Sequence, residues 1–72
     1  MNTLDMLTLG DRVRVRGLEK GSNVKRRLLD MGVTPGIEIE IIGMAPMGDP
    51  INIELRGYKL TIRRNEAKAI LI

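Results

Sequence analysis

The chain reads as a mainly β domain, a small and partly open five-stranded barrel with one helix inserted after the first strand. Three observations predict it. Apolar and polar residues alternate in "RVRVR" (12–16), "IEIEII" (37–42) and "INIEL" (51–55), which is the period of a strand with one buried face. The period changes to that of a helix in one place, "GSNVKRRLLDMG" (21–32). Glycine and proline divide the rest at short intervals, and 72 residues make a single domain, 1–72. Closing a sheet this small removes exposed edges that would otherwise invite pairing with another chain.

The elements follow in order. In 12–16, Val13 and Val15 face one way and Arg12, Arg14 and Arg16 the other. In 21–32, Val24, Leu28 and Met31 fall on one helical face. Ser22 or Asn23 is the N-cap, and Gly32 fits the left-handed position just past the end, with Val33 as its apolar follower. Lys25, Arg26 and Arg27 crowd the front of this helix, where the macrodipole disfavours cations. "TPGI" (34–37) is a type II turn. Ile37, Ile39 and Ile41 then point inward with Glu38 and Glu40 outward, and Ile51, Ile53 and Leu55 repeat the pattern. "RGYK" (56–59) is a two-residue hairpin centred on Gly57 and Tyr58, pairing Leu55 with Leu60 and Ile53 with Ile62. Asn65 starts a single helical turn through Glu66 and Ala67, and "AILI" forms a last short strand.

Composition excludes several functions. The apolar residues, 43% of the chain, are almost all aliphatic, and Tyr58 is the one aromatic, so no stacking platform for single-stranded nucleic acid exists. Without Cys or His there is no disulfide, thiolate chemistry or zinc finger. "MNTLDMLTLGD" places Asp5 where a signal peptide needs an unbroken apolar core, and no run approaches the roughly 18 apolar residues that span a bilayer. The expected location is cytoplasmic, with no membrane insertion. No phosphate-cradling G-x-x-x-x-G-K-[ST] loop and no carboxylate pair with an evident cleft is present, so an enzyme is not expected.

The order "L…GD" (Leu9, Gly10, Asp11), "RLLDMGVTPG" (Arg27 to Gly36), "APMGDPI" (Ala45 to Ile51) and "RGYKLTIRRNEA" (Arg56 to Ala67) resembles the FeoA family, ferrous iron transport protein A, over nearly the whole chain. The resemblance implies an SH3-like barrel with a helix after the first strand. It also implies an accessory role in ferrous iron uptake beside FeoB, a membrane transporter with a cytoplasmic GTP-binding domain.

The residues themselves make poor iron ligands. Glu38 and Glu40 share a strand face and could touch one weakly held cation. Met31, Met44 and Met47 are thioethers, which suit soft metals better than Fe²⁺. No metal site and no cofactor is expected. Arg26, Arg27, Arg63 and Arg64 are candidates for an arginine finger toward a partner GTPase. The basic sets Arg12, Arg14, Arg16 and Arg56, Lys59, Arg63 support an alternative reading as a small nucleic-acid-binding barrel, although Glu38, Glu40 and Glu54 lie on neighbouring outward positions.

The stretch "APMGDP" (45–50) is more informative. Pro46, Gly48 and Pro50 make a stiff connection, but Met47 is an apolar side chain at its tip. A loop that is rigid before binding loses less entropy on docking. The expected partner surface is therefore Lys25, Arg26 and Arg27 with Met47 and Asp49, and Tyr58 as a lesser member. Its expected partner is the cytoplasmic part of a FeoB-type transporter, with self-association through leftover sheet edges as a further option.

Overall fold

The computed structural model describes residues 2–20 and 23–72. Strands β1 (Arg12–Arg14), β3 (Glu38–Met44), β4 (Ile51–Leu55) and β5 (Tyr58–Ile62) form an antiparallel sheet in the order β1-β3-β4-β5. Strands β2 (Gly17–Leu18) and β6 (Ile70–Leu71) pair separately and close the barrel's open side. Helix α1 (Asn23–Asp30) follows β2, and the single turn α2 (Arg64–Ala67) follows β5. Ile39, Ile41, Ile51, Ile53 and Ile62 line the interior, with Leu28 from α1 and Ile70 from β6 sealing it. Branched aliphatic residues suit this role, since they pack densely on a pleated surface.

The predicted first strand, 12–16, is divided. Arg12–Arg14 pairs with β3 (Arg12 opposite Glu40, Arg14 opposite Glu38). After Val15 the chain changes partners: Val15 N–H still donates to the Ile37 carbonyl, just before β3, and Arg16 N–H donates to the Leu71 carbonyl. One strand thereby serves two sheets, which is how a small barrel turns a corner. A second irregularity, the register shift between Ile41 and Gly43, puts one extra residue into β3, the kind of bulge that bends the strand carrying it.

The hairpin corrects the sequence expectation. Its central residues are Arg56 (φ 50°) and Gly57 (φ 82°), so Leu55 opposes Tyr58 and Ile53 opposes Leu60. Two positive φ values make a primed turn whose twist matches the flanking strands. Tyr58 is consequently the first residue of β5, not a turn residue. The helix end behaves as read: Gly32 has φ 94°, Gly32 N–H donates to Leu29 O (3.0 Å), and Val33 N–H donates to Leu28 O (2.9 Å). This is the Schellman arrangement with its apolar pair buried. Asn23 is the first helical residue, and Ser22, the other N-cap candidate, lies outside the described residues.

Residues 2–7 contribute more than expected. Leu4–Met6 forms a 3-10 turn whose Leu4 is fully buried and which packs against α2. Thr3 bridges to Leu71, and Ile72 N–H donates to Asn2 O (3.0 Å), so the two ends of the described fold lie side by side.

Strand directions sort the connections. Because β1 and β5 both run antiparallel to their inner neighbours, the turn before β1, the loop after β3 and the exit of β5 into α2 emerge at one end of the sheet. The 34–37 turn and the 56–57 hairpin lie at the other end.

Candidate partner-binding surface

The 45–50 loop is held by its own backbone. Gly48 N–H donates to Ala45 O (2.7 Å) and Ala45 N–H to Pro50 O (3.1 Å). The Asp49–Pro50 peptide is cis. Asp49 Oδ1 accepts the Arg64 N–H at 3.0 Å, fastening the loop to the start of α2. Among these supports Met47 stands 92% exposed. A loop residue so free of the core contributes little to folding, which leaves its apolar surface available for contact.

Helix α1 is fastened to the same short turn. Glu66 is 4% exposed and holds two donors. Arg27 Nε lies 3.1 Å from its Oε2, and Arg63 N–H donates to its Oε1 at 2.7 Å. The second contact satisfies one of the N-terminal donors of α2. Between α1 and α2 lies an open hollow of about 200 Å³ lined by Asn23, Val24, Arg27, Arg63, Asn65 and Glu66. Arg26 is exposed on α1. Lys25 is partly buried and engaged.

The predicted surface is thus partly assembled. Arg27, through Glu66, and Asp49, through Arg64, meet on α2, so the front of α1 and the 45–50 loop belong to one region. Tyr58 belongs elsewhere. It begins β5 at the opposite end of the sheet, is 43% exposed, and donates its hydroxyl to Met31 O (2.8 Å) beyond the end of α1. That bond gives it a structural task.

Two side chains at the loop end were missed in the sequence: Met6, 63% exposed, and Leu9, 66% exposed. Leu9 crowns a turn in which Thr8 N–H donates to Asp11 Oδ2 (2.9 Å) and Asp11 N–H to Thr8 O (3.1 Å). Neither stood out as sequence, because apolar residues crowd 4–9 (Leu4, Met6, Leu7, Leu9) and no clean period tells those that turn inward from those that face out. Glu66 was also missed as a hub. The spacing Arg63-x-x-Glu66 is that of a capping box, but the usual Ser or Thr at its first position is absent.

The basic strand faces are answered in part by acids or carbonyls. Arg12 Nη2 lies 3.2 Å from Glu40 Oε1, Arg14 Nη1 donates to Gly36 O (2.7 Å), and Lys59 stands opposite Glu54. Arg56 leaves its expected strand row for the turn. No group of three or more His, Cys, Asp or Glu able to hold a metal occurs among the described residues. No described helix is long and apolar enough to cross a membrane.

Comparison with known proteins bears on the whole chain. The model of the FeoA domain matches residues 2–72. An FeoA-like protein from Clostridium acetobutylicum, solved by NMR, is similar at 48% identity with a TM-score of 0.92, covering 96% of this chain and 80% of that one. The FeoA of Stenotrophomonas maltophilia, crystallised in complex with zinc and described as a prokaryotic SH3 domain protein and candidate activating factor of ferrous iron transport, is similar at 25% identity. Its TM-score is 0.84, with 99% of this chain and 88% of that one covered. A fusion of Fe²⁺ transport protein A with the Fe²⁺ transporter FeoB, from Porphyromonas gingivalis, is 30% identical over 67 residues. The match takes in 93% of this chain, which spans 8% of that relative's length.

Proposed function

The chain belongs to the FeoA family, and from that membership we propose that it is a cytoplasmic accessory protein of ferrous iron uptake that binds and modulates a FeoB-type transporter at its GTP-binding region. The observation that carries the reading is the relative in which such a domain and FeoB are one polypeptide. A tether of that kind raises effective concentration and suits two modules that work in contact.

The α2 end of the barrel supplies the surface. Met47 provides an apolar anchor on a pre-formed loop, and Arg26 provides an exposed cation that steers approach. The effect proposed on the partner is one of binding. The nucleic-acid alternative has less support, because Arg12 and Arg14 are engaged within the sheet.

The test is a titration of the chain against the isolated cytoplasmic domain of the transporter with GDP, with a non-hydrolysable GTP analogue and without nucleotide. Binding that differs between these states is expected; no binding in any of them removes the GTP-binding region as partner. The surface is tested by Arg26→Glu with Met47→Asp. Arg27 is left intact, because reversing it would set a second carboxylate against buried Glu66. The folded double variant should bind at least about tenfold more weakly. Undiminished affinity would move the contact away from the α2 end.

A further inference from the structure

Among the described residues, two of the three exposed apolar tips at the α2 end are thioethers. Met47 crests the 45–50 loop, Met6 ends the 3-10 turn packed on α2, and Leu9 lies at the same end of the sheet. The other described methionines, Met31 and Met44, are half-buried against the core. All three tips stand on fixed supports: buried Leu4, the Thr8–Asp11 turn, and the Asp49 contact to Arg64.

We infer that Met47, with Met6 second to it, is a site of oxidation by hydroperoxides, and that its sulfoxide releases this end of the barrel from its partner. The first half follows from exposure, since oxidation needs the peroxide to reach sulfur. The step is balanced without a cofactor. With hydrogen peroxide, a sulfur lone pair attacks one peroxide oxygen, the S–O bond forms as the O–O bond breaks, and the departing hydroxide takes the proton still on the sulfur-bound oxygen, directly or through solvent, and leaves as water. Sulfur loses two electrons and the peroxide gains them.

The second half rests on the transporter-binding reading above. A sulfoxide carries a strong acceptor oxygen, and placing it in an apolar pocket leaves that oxygen without a donor. The fold itself is indifferent, because Met47 lies outside the core cluster. Met31 and Met44 pack against that cluster, so their oxidation would disturb it. The consequence suits the cargo: ferrous iron reduces hydrogen peroxide to hydroxyl radical, so a contact that weakens with peroxide curbs uptake when iron does most damage.

The experiment treats the full chain with hydrogen peroxide and maps sulfoxide at each methionine by mass spectrometry over time, with thermal unfolding in parallel. Met47 should oxidise first and Met6 next, with Met31 and Met44 at least about tenfold slower. The unfolding midpoint should be unchanged while only Met47 is modified. Oxidation of Met31 or Met44 as fast as Met47 overturns the site. The Met47-oxidised chain is then titrated against the transporter's cytoplasmic domain. Its affinity should fall about tenfold and return after treatment with methionine sulfoxide reductases. A Met47→Leu chain, whatever its own affinity, should not change with a peroxide dose that leaves Met6, Met31 and Met44 unoxidised. Equal affinity before and after oxidation overturns the release. Failure of the unoxidised chain to bind also overturns the release, by removing the contact, while the mapped site stands.

Discussion

At Gly32 two demands meet. Its φ of 94° ends α1, and a Cβ there would collide with the Tyr58 hydroxyl, which must come close to reach Met31 O. Gly32→Ala should therefore cost about 2 kcal/mol by denaturant unfolding. Removing the hydroxyl in Gly32→Ala/Tyr58→Phe should relieve the collision and leave the backbone strain, so the two changes should not be additive. Tyr58→Phe alone should cost about 1 kcal/mol for its hydrogen bond. Glu66 is the other residue with two roles. Glu66→Ala strips the cap from α2 and the partner from Arg27, and should lower stability by about 2 kcal/mol. Arg27→Ala, on the solvent side of the same pair, should cost less, about 1 kcal/mol. If Arg27→Ala proved as severe as Glu66→Ala, the pair rather than the cap would dominate.

Among the elements, the β4–β5 hairpin shows what the sequence could and could not say. Alternation in 51–55 and 58–62 was legible because isoleucine and leucine recur with a period of two. The register was not. Sliding the strands by two residues sets Ile53 opposite Leu60 instead of Ile62 and keeps apolar residues on apolar ones, so the pattern fits either arrangement. Only the backbone decides, and it places a non-glycine residue, Arg56, at positive φ. Such residues are uncommon there, which is why the turn was centred one residue late. The strain is testable: Arg56→Asn, making the favoured Asn-Gly pair, should stabilise by about 0.5–1 kcal/mol and raise the thermal midpoint by a few degrees. A lowered midpoint would show that Arg56 makes contacts worth more than the strain.

Across the whole molecule, the sequence conveyed the barrel but not how residues 2–7 complete it. Leu4 lies between Thr3 and Asp5 in a short mixed segment with no clear strand or helix period to mark it as core, yet it is fully buried under α2. Leu4→Ala should cost about 2–5 kcal/mol. A domain this size is held by a margin of comparable size, so partial unfolding at 37 °C is expected, visible as lost amide dispersion by NMR. The partner surface was half legible for a related reason. Met47 announced itself as an apolar residue in a Pro–Gly loop. The grouping of Met6 and Leu9 with it depends on strand directions that single segments do not encode.

The pairing of Asn2 with Ile72 has a mechanical consequence. Tension applied to these two positions acts across an antiparallel seam at its open end, so it peels Ile72 from Asn2 and Leu71 from Thr3 in succession instead of shearing them together. Bonds loaded one at a time yield at low force. A barrel pulled at this seam should open gently, and one gripped at Arg12 and Tyr58, across the face of the four-stranded sheet, should hold longer before it gives way.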